Sequence, residues 1–218
     1  MHSPESRTEN TIDVGLEHRL TALSAEHDPA CRILQASAAS EYHALCPEAV
    51  KSIRIGFPAD EHDLEALHQI RLDCSGPDFQ TEKGTPYLKP LDESALLEKL
   101  PTSLVLYHRD DPIGTLYFTS LEQHESTGLI GGFAVAPGHR NLRFGRTLLH
   151  ACLEKMKSLG FQRAVSITAA PAVKKLYASC GSIDENGEFD DLLETSRHRF
   201  YPEETGDVLL YVFEISEK

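Results

Sequence analysis

The 218-residue chain is poor in positive charge. It has 21 lysines and arginines against 34 aspartates and glutamates, a formal net charge of −13. A general nucleic-acid binder needs a net basic face, so no nucleic-acid partner is expected. Long apolar runs are also missing. No stretch approaches the ~18 residues of a membrane-spanning helix, so no membrane partner is expected. The opening residues "MHSPESRTENT" are polar and contain no hydrophobic leader segment, so no signal peptide is expected. The five cysteines, Cys31, Cys46, Cys74, Cys152 and Cys180, are odd in number and lack CxxC spacing. Cys152 and Cys180 fall within apolar patterns and read as buried free thiols. The 11 histidines include no HExxH, and no Cys/His cluster has zinc spacing. These gaps together imply a cytoplasmic location and no metal.

What remains is an ordinary globular composition, 40% hydrophobic, enough for one sizeable core. Residues 1–50 read as an N-terminal extension, disordered to about residue 12 and then with short helices divided by Pro29 and Pro47. Residues 51–218 read as one domain. "SIRIGFP" alternates as a strand does. Asp60 then caps a helix whose apolar stripe is Leu64, Leu67 and Ile70. Residues 75–91 hold three prolines and two glycines and read as a long loop, and "DESALLEKL" as a short helix. "SLVLYH", the turn "RDDP" and "IGTLYFTS" form a hairpin. "GLIGGFAVAP" is a strand whose interior glycines suggest a bulge or close backbone approach. A helix follows with Phe144, Leu148, Leu149, Cys152, Met156 and Leu159 at helical spacing, stopped by Gly160. "FQRAVSITA" is a strand, "PAVKKLYASCG" a helix with Pro171 in its first turn, and "DVLLYVFEI" the last strand. The order implies an α/β fold with a mixed, mostly antiparallel sheet flanked by helices.

Against the acidic background, Pro137 to Lys175 carries eight cations and one acid, Glu154. Arg140, Arg143 and Arg146 lie where a strand ends, a turn containing Gly145 follows and a helix begins. A helix start offers unpaired N–H groups and the positive end of the dipole, both suited to phosphate. Gly145 has no Cβ to hold a ligand away. The residues alone leave two readings open, a diphosphate site or a solvated basic helix face.

"VAPGHRNLRFG" resembles the segment V-x-P-x-[YH]-R-x-x-G-x-G of the GCN5-related N-acetyltransferases (GNAT), with Val135, Pro137, Arg140 and Gly145 on the pattern. "AVKKLYASCG" is similar to a later family segment through Leu176, Tyr177 and Gly181. "RHRFYPEETGDVLLYVFEI" resembles the closing element, a Tyr-Pro turn before the last strand. The resemblance runs from about Ser52 to the C-terminus. It implies acetyl-coenzyme A as cosubstrate, an amine acceptor as partner, and the GNAT-like acyltransferase fold. It places the cofactor's pyrophosphate on Arg140, Asn141, Leu142, Arg143, Phe144, Gly145 and Arg146, its pantetheine on the backbone of Phe133, Ala134 and Val135, and the general acid at Tyr177. The chain departs from the pattern at Arg143, where the first motif glycine is expected, at Ala170 in place of Asn, and at Ser182-Ile183 in place of Phe.

Acetyl transfer to an amine needs a held thioester, a polarised carbonyl, a deprotonated amine and a proton for the leaving thiolate. Gly131 and Gly132 would open the bulge that frees an N–H for the carbonyl; two packing glycines in an ordinary strand are the alternative. Tyr177 suits the acid role, its ordinary pKa of about 10 matching a thiolate, though a core tyrosine would look the same. No acid lies in "GLIGGFAVA" or "AVSITA". The base is then a carboxylate from elsewhere (Glu65, Asp73, Asp78, Glu122 or Glu125), a water chain ordered by Ser166 or Thr168, which is the expectation adopted, or unnecessary for an acceptor of low pKa. His139 and His124 read as surface or helix-start histidines. The acids Asp190, Asp191 and Glu194 would suit a cationic acceptor, or form a solvated acidic loop. The alternatives to an N-acetyltransferase are a coenzyme A-binding regulatory module and an O-acyl or longer-acyl transferase. A homodimer is left open.

Overall fold

The computed structural model describes residues 53–56, 58, 61–75, 80, 84, 87, 102–201 and 208–215. The extension over 1–50, the helix expected at "DESALLEKL" and most of the loop over 75–91 lie outside the described residues. In chain order the elements are β1 (Ile53–Gly56), α1 (Glu61–Asp73), β2 (Ser103–His108), β3 (Asp111–Ser120), β4 (Thr127–Val135), a 3₁₀ turn (Pro137–His139), α2 (Phe144–Ser158), β5 (Arg163–Thr168), α3 (Pro171–Ala178), β6 (Ser182–Ile183), α4 (Asp190–Phe200) and β7 (Leu209–Glu214). The strands form one seven-stranded sheet in the order β1-β2-β3-β4-β5-β7-β6. Only β4 and β5 run parallel; every other neighbouring pair is antiparallel. The expected mixed, mostly antiparallel sheet is present.

Alternation along the strands sends apolar side chains to both faces, and each face is covered by helices. Leu104 and Leu106 of β2, Leu116 and Phe118 of β3 and Ile130 of β4 pack with Phe144, Leu148, Leu149, Cys152 and Met156 of α2 and with Tyr177 of α3. On the other face Val105 and Tyr107 meet Leu67 of α1, and Ala134 meets Ile70 and Cys74. There Val165 and Leu210 also pack with Phe189, Leu192 and Leu193 at α4. So α2 and α3 share one face, and α1 and α4 the other. Tyr107 Oη donates to Asp63 Oδ2 at 2.5 Å, and the Arg54 guanidinium lies 3.6 Å over the Tyr107 ring, fastening α1 to β2.

Most local expectations hold. The hairpin turn is the two residues Arg109 and Asp110, both left-handed (φ 54° and 69°), the conformation a right-twisted hairpin favours. Gly160 is left-handed at φ +87°, and Phe161 N–H reaches back to the Met156 carbonyl, closing α2 as expected. Leu159 departs from the expected stripe. It stands just past the helix end and is 54% exposed. Two elements had no sequence expectation, β6 and α4. Helix α4 is polar; Leu192, Leu193 and Ser196 face inward, and Arg197 Nη2 donates to the Val208 carbonyl at 3.1 Å. Asp190 and Asp191 occupy its first turn and Arg197, His198 and Arg199 its last, the charge order that complements a helix dipole. Asp184 accepts from the N–H groups of Glu188 and Phe189 ahead of it. These acids serve a helix start, which is a structural use of the segment.

Gly181 explains one family position physically. A Cβ there would come 2.5 Å from the Val212 carbonyl oxygen and 2.7 Å from the Phe213 ring, both in β7. Backbone cannot yield as a flexible side chain can. Gly181→Ala is expected to cost about 1–3 kcal/mol, lowering the thermal midpoint by about 2–4 °C per kcal/mol in a chain of this size. Thermal unfolding followed by circular dichroism checks this, and an unchanged midpoint would show that α3 and β7 are not in close contact.

Candidate active site

The site begins with an irregularity in β4. Tyr117 pairs with Gly131 and Thr115 with Ala134, so Leu116 alone faces both Gly132 and Phe133. This is a β-bulge, and Gly132 supplies its left-handed residue at φ +64°. A Cβ on Gly131 would stand 2.8 Å from the Tyr117 ring, and one on Gly132 2.5 Å from it. The two glycines therefore fill both expected roles, opening the bulge and admitting a close neighbour. Beyond the bulge β4 and β5 part. Their parallel pairing runs only from Thr127 with Arg163 to Ile130 with Ser166, while β4 continues to Val135 and β5 to Thr168. Phe133, Ala134 and Val135 thus lie in the stretch of β4 that has left β5.

Ser166 closes the apex of this splay. Its Oγ lies 2.9 Å from the Ile130 carbonyl oxygen and 3.2 Å from Tyr177 Oη. A serine has one proton and a carbonyl only accepts. With Ser166 donating to Ile130, the Tyr177 hydroxyl donates to Ser166. Tyr177 is 1% exposed, its ring edge-on to Phe133, Tyr211 and Phe213 at centroid separations of 5.9, 5.6 and 5.3 Å. Burial pushes its pKa up, while the hydrogen bond that Ser166 can donate to the phenolate pulls the other way. It is a core tyrosine with its hydroxyl at the point where the two strands separate.

The turn after β4 leads on the same face to α2. Asn141 and Arg143 are both left-handed, φ 63° and 62°. Asparagine tolerates this; arginine is penalised by its Cβ. The backbone at Arg143 therefore takes the shape a glycine would favour. Its side chain is exposed, as are those of Asn141, Leu142 and Arg146, so these four reach solvent. Among the described residues no side chain caps α2 and no acid lies in its first turn. The N–H groups there, Gly145 included, meet the positive end of a 15-residue helix. A Cβ on Gly145 would come 3.1 Å from Phe133 Cζ, so this glycine also brings α2 close to the splayed part of β4. Arg140 behaves differently from its neighbours. Its Nε donates to the Val135 carbonyl at 3.0 Å and its Nη2 to Cys74 Sγ at 3.1 Å. The guanidinium braces the turn against β4 and α1. Phe144 is buried and meets His108 and His139, so His139 packs at the helix start.

The residues considered as bases are not brought together. Glu122 and Glu125 lie at the β3–β4 hairpin tip, roughly 20 Å along β4 from the bulge at ~3.4 Å per residue. Asp73 accepts from Gln69, and Glu65 is exposed. Asp78 is outside the described residues. Thr168 Oγ1 accepts from Ala170 N–H at 3.1 Å, and Ser166 is engaged as above, so both hydroxyls expected to order water have protein partners. Among the described residues no group of three His, Cys, Asp or Glu side chains could hold a metal. No helix among them is long and apolar enough to cross a membrane. Cys74, Cys152 and Cys180 are free thiols; the first two are buried and Cys180 is half-buried. The bulge, Ser166 at the apex and the inward use of Arg140 were not read from sequence in full; the glycine pair was the one available signal.

A parted pair of parallel strands, a bulge before it and an uncapped helix start beside it define a coenzyme A-type acyltransferase fold. Residues 64–181 match the model of the acetyltransferase (GNAT) family, and the chain belongs to that family. Among solved structures it resembles the N-acetylglutamate synthase from Neisseria gonorrhoeae complexed with coenzyme A and N-acetyl-glutamate (TM-score 0.59, 16% identity), covering 76% of this chain and 35% of that one. It spans about a third of that enzyme's length. It also resembles the ribosomal-protein-S18-alanine N-acetyltransferase from Escherichia coli (TM-score 0.52, 16% identity, 76% of this chain and 96% of that one). An N-acetyltransferase from Staphylococcus aureus Mu50 gives TM-score 0.54 at 16% identity over 75% of this chain and 99% of that one. These likenesses show the fold. No curated protein matches the chain.

The left-handed Arg143 yields a stability test. Arg143→Gly removes a penalty of about 1 kcal/mol and is expected to raise the thermal midpoint by about 2–4 °C. A lowered midpoint in thermal unfolding would mean that Arg143 makes contacts worth more than its backbone strain.

Proposed function

We propose that the protein is an acetyl-coenzyme A-dependent N-acetyltransferase that acetylates a primary amine of a small molecule or peptide by direct attack within a ternary complex. The observation that carries this reading is the Tyr177 hydroxyl, 3.2 Å from Ser166 Oγ at the last pair before β4 and β5 part. The fit to the cosubstrate rests on the chain's own donors. The α2 N-terminus, with Arg143 and Arg146 exposed beside it, suits a diphosphate. The departed stretch Phe133–Val135 offers backbone groups to the amides of a pantetheine arm. Acetyl-coenzyme A would supply the activated thioester.

The chemistry asked of the residues is modest. The bulge at Gly132 turns backbone out of the ladder, where an N–H can polarise a carbonyl. Tyr177 holds a proton at Oη, and its raised pKa keeps that proton in place through the neutral and mildly alkaline range. As the phenol gives its proton to a departing thiolate, Ser166 can turn its own hydrogen from the Ile130 carbonyl to the phenolate. Ser166 is then a positioning residue. Among the described residues no carboxylate is placed to take a proton from the amine, so deprotonation is left to solvent. The pH–rate profile should accordingly rise until the amine itself is neutral.

Free-thiol release on mixing the full chain with acetyl-coenzyme A and a panel of amines tests the reading. Tyr177→Phe is expected to lower turnover by roughly 10²–10⁴-fold while coenzyme A affinity stays near that of the wild type. Unchanged turnover would remove Tyr177 from the acid role. Binding of coenzyme A with no thiol release from any amine would instead favour a regulatory module. For Arg143→Gly, titration calorimetry at low and high salt should show weaker coenzyme A binding with a shallower salt dependence, even though the fold is stabilised. Tighter binding would show that the side chain crowds the turn.

A further inference from the structure

The sheet face opposite α2 and α3 carries a buried cation at the bulge. Arg71, on the last turn of α1, is 4% exposed. A Cβ placed on Gly132 would come 2.5 Å from its Nη1 and 2.5 Å from the Tyr117 ring. The guanidinium therefore lies directly over the backbone of the bulge, beside Tyr117, where β4 begins to leave β5. Burial lowers its pKa, and Tyr117 and Cys74 act on it electrostatically; an arginine keeps its charge even so.

Two features single this residue out. The guanidinium is buried against the bulge, and the apolar contacts that hold α1 to the sheet come from Leu67, Ile70 and Cys74 instead. The absence of a side chain at Gly132 is what lets the charge sit on the bulge at all. Sequence and fold combine to put a planar, five-donor cation at the point where an amine would meet the acyl group. It approaches from the face that the α2 cradle leaves unused.

We propose that Arg71 recognises a carboxylate of the acceptor, and that the acceptor is an amino acid or related zwitterion with its carboxylate a few bonds from the reacting amine. The inference rests on the transferase reading above. A guanidinium matches a carboxylate with two parallel hydrogen bonds. Its place on the bulge fixes the distance, because the paired carboxylate and the attacking amine must share the same short stretch of β4. The overall charge of −13 would repel a net anion but not a zwitterion. A local cation is then what separates amino acids from plain amines.

The test uses matched pairs: amino acids and the amines that lack only their carboxylate, with thiol release as one readout. A second readout is equilibrium binding of N-acetyl amino acids and of their uncharged amides. Wild-type protein is expected to favour the carboxylate member of a pair at least tenfold in kcat/KM and to bind the N-acetyl acids more tightly than the amides. In Arg71→Gln both preferences should vanish, chiefly through KM, with Arg71→Lys retaining part of them. Thiol release with no carboxylate preference, or a loss in Arg71→Gln that falls equally on every amine through kcat, overturns the assignment and leaves the transferase reading standing. Arg71-dependent binding of the acids with no thiol release from any amine keeps the assignment and overturns the transferase reading. If neither variant alters acid binding, the assignment falls on that measurement alone.

Discussion

The structure turns on the parting of two parallel strands. β4 and β5 share a short ladder, and the bulge at Gly132 bends β4 away just beyond it. Parallel strands in a buried sheet normally stay paired, because backbone polar groups cut off from water need partners. Here the last cross-strand link is made by a side chain, Ser166 to the Ile130 carbonyl at 2.9 Å. Everything assigned to the site is arranged around that gap: Tyr177 at its apex, the splayed backbone of Phe133–Val135 along one side, and Arg71 over the bulge.

The two faces of the sheet do different electrical work. On one, α2 presents a helix start with no acid in its first turn and exposed arginines beside it, in a chain that is otherwise strongly acidic. On the other, α4 begins with Asp190 and Asp191 and is preceded by Asp184, which accepts from two N–H groups. Both are helix N-termini with the same dipole. Carboxylates stand at the start of α4, and none lies in the first turn of α2. That contrast within one molecule is a stronger argument for an anion site than the count of cations between Pro137 and Lys175.

Much of the fold was legible because its pattern is local. The strand alternation, the α2 stripe from Phe144 to Met156 and the stop at Gly160 follow from periodicity and turn chemistry, and all are present. Helix α4 escaped because it is mostly polar; its signal lay in the charge order at its two ends, which a search for apolar stripes passes over. Leu159 misled because spacing cannot see that the helix has already ended. At the site, Tyr177, Gly145 and the glycine pair were legible through their neighbours in sequence. Arg71 was not, since it is more than sixty residues from Gly132 and nothing along α1 marks one arginine as buried.

By itself, the sequence determined most of the segments that become strands and helices (though not β6 or α4), where the turn after β4 must bend, and which family the chain joins. These depend on residues within a few positions of one another. Tertiary structure alone decided the uses of the side chains. It turned Arg140 inward to Val135 and Cys74, held Arg143 in a left-handed conformation with its guanidinium outward, and set Arg71 on the bulge. Arginines close together in one fold, Arg71, Arg140 and Arg143, thus stand in different surroundings. The reason is physical: a guanidinium's role is set by what surrounds it, and distant strands and helices supply those surroundings only when they pack.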